Sequence, residues 1–386
     1  MSANRNPGVT RADILVVGGG LAGAAVAYYL ARGGADVLLI ERGEVNAGAS
    51  GANSGSIHAQ IPLEPFVEQG EGWTCGFAPT IPLMIASIRL WAGLEAELGA
   101  DLEVALPGGL MVAEDELQLR ILERKAAVER AQGLPVEILS ATDLRRIAPY
   151  LAPDLVGAAF CELEGKANPQ AVAPAFARAA ARHGARLMCG VELLGLRGEA
   201  SGFLAATSSG LIAARRIVNC AGAEAASVAA MVGIELPLRG FPIQVNVTEP
   251  VAPLVRHLVY SAGRRLTLKQ ARSGALLIGG GYPARLDPET GRPAIDPDSV
   301  RANLYAAVRT VPALRHAQLL RSWPAIVNGT DVWRPILGEV PRVPGFWLSL
   351  FPWLGFSAGP IAAKSVAEAL LGREPEVAIS DFALGT

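Results

Sequence analysis

The chain is 386 residues long, 51% hydrophobic and 18% charged, with a formal net charge of -2. That length accommodates two domains with sizeable cores, and the lack of a basic excess argues against nucleic acid as a partner. Cys75, Cys161, Cys189 and Cys220 stand singly without C-x-x-C spacing, as do His58, His183, His257 and His316, so reduced thiols are expected and a metal site or iron–sulfur cluster is not.

Residues 1–11 are polar and contain no apolar signal core, which leads us to expect a cytoplasmic protein. The first element is a strand, Ile14 to Val17, whose apolar, β-branched run suits a position covered on both faces. Gly18, Gly20 and Gly23 follow at G-x-G-x-x-G spacing, and a helix from Leu21 to Arg32 comes next. The first glycine permits a tight turn, the second lets the backbone approach a pyrophosphate, and the third lets helix and strand pack closely. The helix start, with Leu21 and Ala22, aims N–H groups and a positive dipole end at the phosphates. A second strand, Asp36 to Ile40, ends in Glu41, about twenty residues past the glycines, where a carboxylate can accept hydrogen bonds from an adenosine ribose. An acid here disfavours a ribose 2′-phosphate, although Arg42 follows directly. The competing interpretation is a structural βαβ unit with an incidental surface acid.

Further along, Leu110 to Ala113 reads as a strand and Glu116 to Gln132 as an amphipathic helix. Asn168-Pro169 opens a helix running to about His183, with Asn168 as cap and Pro169 in the first turn. Arg186 to Val191 is a strand, and Gly202 to Ala206 with Leu211 to Ala213 a hairpin. Ile217 to Gly222 is another strand meeting a glycine turn, where Cys220, Ala221 and Gly222 could approach a nucleotide. From Gly240 the texture changes: Ile243 to Thr248, Arg265 to Lys269 and Ala275 to Gly279 look like antiparallel strands that cover something. Val343 to Ala363 carries no charge, but Pro344, Pro352 and Pro360 with three glycines would break a membrane span. It is therefore read as a strand, Phe346 to Leu350, then a loop and a helix start leading to Leu371.

The order of these motifs resembles the FAD-dependent D-amino-acid oxidase superfamily, which includes glycine and sarcosine oxidases. The fingerprint with Glu41, the Gly48 to Gly55 loop and the Gly355 to Pro360 helix start carry the resemblance from Asp13 to Gly372. Ala52 to His58 and Leu266 to Gln270 through Gly281 look most like the catalytic β subunits of opine dehydrogenases, with D-hydroxyproline dehydrogenases and hydrogen cyanide synthases similar. The resemblance implies an α/β fold. A Rossmann-type FAD-binding domain (9–70, 151–238 and 327–386) is built from discontinuous segments, beside an α+β substrate domain (71–150 and 239–326) with a largely antiparallel sheet. It places Gly18, Gly20 and Gly23 at the FAD pyrophosphate and Glu41 on the ribose. Arg42, Ala49, Ser50, Gly51, Asn53, Ser54 and Gly55 would lie along the pyrophosphate and ribityl chain, and the Val191 backbone at the adenine. Gly355, Phe356, Ser357, Ala358 and Gly359 would bring N–H groups toward the flavin pyrimidine ring, where a positive helix end suits negative charge.

For chemistry, the resemblance implies hydride transfer from the carbon of an amine C–N bond to flavin N5. The substrate would be a secondary amine or amino acid, in a subunit that passes electrons to a partner subunit. An additional FMN at a subunit interface stays open. Such chemistry depends mainly on orientation and cofactor. The substrate carboxylate needs a cationic or hydroxyl anchor. In place of the family's Arg-Pro and Asp-Gly-x-Pro turn this chain has Val327 to Gly338, with Arg334 displaced. Arg239, Tyr260, Arg265 and Lys269 are further anchor candidates, each competing with a structural or solvated role. His58 and Trp353 are candidates beside the flavin, where packing competes with chemistry. Sarcosine oxidases carry an oxygen-activating Lys where this chain has Leu276-Leu277-Ile278, which favours a dehydrogenase. The alternatives are a free-standing glycine- or sarcosine-type oxidase that releases hydrogen peroxide, and a non-catalytic flavoprotein subunit.

Overall fold

The computed structural model describes residues 9–385. The strand Thr10–Val17, with Ile14, Leu15 and Val16 fully buried, lies in the middle of an eight-stranded sheet. Its parallel neighbours are Val37–Glu41 on one side and Gly210–Asn219 on the other; Arg186–Cys189 and Phe346–Leu350 extend the parallel set outward. Ile336–Glu339 closes one edge antiparallel to Phe346–Leu350. Both faces are covered, which is why these strands are near-continuous apolar runs without alternation.

The second strand of the expected hairpin and the later strand at Ile217 are parts of one element, paired with the separate strand Gly202–Thr207. Gly210–Asn219 pairs from Ile212 to Asn219 with Thr10–Val17, while its other edge pairs first with Gly202–Thr207 and then with Phe346–Leu350. The helix Leu21–Arg32 packs on this sheet among Pro169–Arg182, Gly355–Leu370 and the strands. Asn168 caps Pro169–Arg182 by accepting the Gln170 N–H at 2.9 Å. Tyr28, Tyr29 and Phe176 fill the seam, with ring centroids 4.9–5.9 Å apart.

The second sheet also has eight strands, ordered Leu319–Gly329, Arg239–Thr248, Leu276–Gly279, Thr267–Gln270, Leu258–Ser261, Gly109–Ala113, Gly157–Cys161 and Val136–Ser140. All its pairings are antiparallel except Leu258–Ser261 with Gly109–Ala113. Two strands depart from the segment boundaries expected from sequence: Gly157–Cys161 joins this sheet, and Leu319–Gly329 runs across the 326/327 boundary. Pro324 is tolerated because its strand is an edge strand. Helix Thr80–Leu98, buried on most faces, packs against Gly355–Leu370. No single helix among the described residues is long and apolar enough to cross a membrane. The bent pair Gly70–Phe77 with Thr80–Leu98 meets that test only by length and composition, and Leu83, Met84, Ile88 and Trp91 of its longer helix are core residues.

Candidate active site

The glycine turn does what its spacing suggested. Gly18 has φ +108°, and a Cβ there would lie 2.6 Å from the Cys220 carbonyl oxygen. A Cβ on Gly23 would come within 1.8 Å of the Gly18 carbonyl oxygen, so that helix and strand can approach only with glycine. Glu41 is held over the turn, its carboxylate accepting N–H groups of Gly19 at 2.6 Å and Gly43 at 2.8 Å. Ser50 Oγ accepts the Leu21 N–H at 2.9 Å, and the Val191 N–H donates to the Glu41 carbonyl at 2.8 Å.

These groups surround a cavity of about 650 Å³. Gly18, Gly20, Leu21, Ala22, Glu41, Arg42, Ala49, Ser50, Asn53 and Val191 line it, together with Cys220, Ala221, Gly222, Gly355, Phe356 and Gly359. Gly23, Gly51, Gly55 and Ala358 do not line it but shape its walls. A Cβ at Gly51 would sit 2.2 Å from the Asn46 carbonyl oxygen, and one at Gly55 2.2 Å from that of Ala167. Ser54 and Ser357 face a neighbouring chamber instead. The stretch read as a Gly/Ser loop contains a short helix, Ala49–Ala52, and a strand, Ser56–Ile57.

The fit to a dinucleotide can be judged from the walls. The helices Leu21–Arg32 and Gly355–Leu370 both begin at the cavity, and neither carries an acidic residue in its first turn. Two positive dipole ends therefore converge on one space. Beside Gly222 and Gly355 a Cβ would meet nothing within 4 Å, so open cavity adjoins the backbone there. The residues present fit a phosphate-bearing nucleotide. The helix begins at Gly355, so Gly355 to Pro360 forms its first turn and a half. Its position is fixed by Ser357. The Ser357 carbonyl accepts Ser87 Oγ at 2.6 Å and Trp91 Nε1 at 2.8 Å, and its hydroxyl accepts the His58 N–H at 2.9 Å.

Trp353 and Phe356 border both this cavity and a chamber of about 960 Å³ under the second sheet. Its walls include Phe241, Trp323, Trp333 and Trp353, with Gly279, Gly280 and Gly281 across from them. Trp333 and Trp353 stack with centroids 5.0 Å apart, and each has positive φ, +61° and +63°. For a bulky side chain that backbone is a genuine outlier. Trp353 is pinned there by its indole N–H, which donates to the Thr330 carbonyl at 2.9 Å.

The candidates for chemistry separate clearly. His58, Tyr260 and Trp353 line the chamber. Arg334 does not; the turn through Trp333 carries it away, over the Phe382 ring and onto the Asp381 carbonyl. Lys269 does not line the chamber either. It is buried behind Ser56, whose Oγ accepts its ammonium at 2.5 Å. Burial, and then the charge of Lys166, hold Lys269 well below the usual lysine range. Arg239 is exposed and paired with Asp331 at 2.8 Å. Arg265 lines the chamber and pairs with Glu64. Arg264 also lines it, but its guanidinium is held at two points by Glu114, at 2.9 and 3.0 Å. Sequence reasoning missed Gln60, Glu164 and the Leu319–Gly329 strand, which supplies Trp323, Ala325 and Val327 to the walls. Glu164 sits in a segment with no periodic or motif signal, and only the tertiary structure reveals it.

A βαβ dinucleotide site facing an antiparallel sheet across one continuous space defines a class of flavoprotein. The chain belongs to the DAO family of FAD dependent oxidoreductases, whose pattern it matches over residues 13–369. It is similar to a glycine oxidase of Geobacillus kaustophilus, 29% identical over 383 residues covering 97% of each chain. It is also similar to an opine oxidase subunit of Rhizobium meliloti, 29% identical over 347 residues covering 87% of each. Among solved structures, the glycine oxidase from Geobacillus kaustophilus superposes with a TM-score of 0.86 at 27% identity, covering 97% of this chain and 99% of that one. The protein is thus an FAD-dependent oxidoreductase of the glycine, sarcosine and opine oxidase type.

Proposed function

We propose that this chain oxidises the C–N bond of a secondary amine or amino acid, as the catalytic subunit of a hetero-oligomeric dehydrogenase. The observation that carries the reading is the junction at Trp353 and Phe356. There the cavity walled by the glycine turn opens directly into a chamber with room for an N-substituted amino acid. Gly18, Gly20, Ser50, Asn53 and the Gly355 helix start would hold the FAD, with Glu41 at its ribose. FAD held there would supply the hydride acceptor for the amine carbon, and water would hydrolyse the resulting imine. The residues of the chamber orient the amine and keep its α-carbon facing the junction. Arg265 is the chamber cation that we assign to the substrate carboxylate, in exchange for its pairing with Glu64. Likeness to a protein named as one subunit of an opine oxidase supports a partner that receives the electrons.

The test is anaerobic titration of the purified flavoprotein with opines, hydroxyproline, proline, sarcosine and glycine. An N-substituted amino acid should bleach the flavin without oxygen. If all leave it oxidised, the assignment fails. One observation favours the oxidase alternative: Lys269 lies directly across the strand pair from Leu277, and its ammonium reaches Ser56 on the chamber wall. Steady release of hydrogen peroxide in air by the chain alone would select that reading.

A further inference from the structure

From the chamber wall inward runs a cluster of polar side chains that hydride transfer does not use. His58 Nδ1 is 2.5 Å from the Tyr260 hydroxyl, with the two rings 5.1 Å apart. The same hydroxyl faces Glu164, which is fully buried. Glu164 Oε1 accepts the backbone N–H groups of Ala59 at 2.7 Å and Gln60 at 2.8 Å, and Oε2 accepts the Gln60 side-chain amide at 2.9 Å. The Gln60 carbonyl oxygen in turn accepts Lys125 Nζ at 3.1 Å, and Lys125 pairs with Glu129 at 2.6 Å.

Charge and proton counting fix the arrangement. Lys125 and Glu129 offset each other; burial raises the Glu164 carboxyl above the usual carboxylate range, while the three N–H donors that converge on it and the Lys125 charge oppose that rise and suit a carboxylate that only accepts. The Tyr260 hydroxyl has a single proton to give. A carboxylate is a stronger acceptor than a neutral imidazole nitrogen, so that proton goes to Glu164. Tyr260 oxygen then accepts from His58 Nδ1–H, which leaves the lone pair on Nε2 of a ring that lines the chamber.

We propose that His58 Nε2 takes the proton of the substrate ammonium, with Tyr260 and Glu164 as positioning residues that fix its tautomer. The inference rests on the amine reading above. The N–H bond of the ammonium breaks, its electron pair stays on the amine nitrogen, and the proton moves to Nε2. The imidazolium so formed is faced by Glu164 through the Tyr260 hydroxyl. The other charged group facing His58 is Lys269 on the adjoining strand. Lys166, on the strand paired with Ser56–Ile57, turns its ammonium to the Gln270 carbonyl. Burial, then Lys269, push the free imidazole down to about 3, so the ring is neutral at pH 7 and a weak base on its own; taking the substrate proton requires the Glu164 charge, relayed through Tyr260, to stabilise the imidazolium.

Two measurements on the FAD-loaded protein test this. Long-range 1H–15N correlation on histidine-labelled protein, with the His58 signals assigned from a His58→Gln spectrum, should show a pyrrole-type Nδ1 and a pyridine-type Nε2 at pH 7. The opposite tautomer overturns the proposal, as does an imidazolium. In anaerobic flavin reduction by sarcosine, glycine or L-proline, His58→Gln should lose about 10²-fold at pH 7. That loss should shrink toward parity as the pH rises above the pKa of the amine, where the substrate arrives neutral. Tyr260→Phe should show the same pH pattern with a smaller loss and a mixture of His58 tautomers. A loss independent of pH, or none, overturns the proposal. If no amine reduces the wild-type flavin, the functional reading falls, and the tautomer alone then decides for or against the His58 arrangement.

Discussion

At the scale of single residues, the site is set by backbone contacts that no side chain could replace. Gly23→Ala would place a methyl 1.8 Å from a carbonyl oxygen that belongs to the same turn and cannot move aside. We expect a loss of at least about 3 kcal/mol in stability, the upper part of the usual range for overpacking. The purified variant should carry little flavin, as read from its visible absorbance against protein. Lys269 makes the opposite case. The unfolded chain protonates it below about pH 10.4, whereas the folded chain resists that proton. The unfolded state therefore binds more protons, and stability rises with pH over this range. Lys269→Met should be more stable than wild type at pH 7, because it removes a group whose proton the folded chain resists. The difference should vanish near pH 10–11 in urea unfolding. The close packing at Gly18 and Gly23 was legible in the sequence because it depends on backbone geometry at fixed spacing. The displacement of Arg334 was legible too, from the altered motif around it, but not its cause, a left-handed Trp333 that redirects the chain just before it.

Among the elements, helix Gly355–Leu370 bears most on the chemistry. Its first turn is tied to Thr80–Leu98 through the Ser357 carbonyl and to His58 through the Ser357 hydroxyl. Trp91→Phe removes one of those bonds and leaves a small void at a fully buried position. A cost of about 1–3 kcal/mol is expected. If about half of that falls on the placement of the helix start, flavin should dissociate several-fold faster, which dilution-induced fluorescence recovery would show. Helix Thr80–Leu98 escaped the sequence reading because it is buried on most faces, so its apolar residues show no 3.6-residue stripe. Pro297–Thr310 carried the same Asp-Pro start signal as Asn168-Pro169, with Asp296 as its cap, and was readable but unread. Phe346–Leu350 and Leu21–Arg32 matched their sequence limits within a residue because turns bound them sharply.

For the whole molecule, the FAD cavity draws its walls from both sheets: Ala325 and Val327 of the second sheet line it beside the glycine turn of the first. Ligand binding should therefore stabilise one cooperative unit. At a free FAD concentration 100 times its Kd the gain is about 2.7 kcal/mol. Differential scanning calorimetry should show a single transition that moves up by several degrees as FAD is added. A transition that splits in two would mean that the sheets unfold separately. The two-sheet plan was legible from the change in texture near Gly240. The membership of Gly157–Cys161 was not, since its five residues are equally suited to either sheet and only its partners decide.

The strand order of the nucleotide sheet also sets a timetable for synthesis. Thr10–Val17 leaves the ribosome early, but its parallel partner Gly210–Asn219 follows some two hundred residues later, and Phe346–Leu350 later still. The fingerprint turn waits with half of its sheet missing, and the helix start at Gly355 emerges after every strand of that sheet. A nascent chain therefore cannot clasp its flavin before Gly355–Leu370 has been made. Cofactor capture follows that helix, and until then the apolar strand Thr10–Val17 must be shielded by other means.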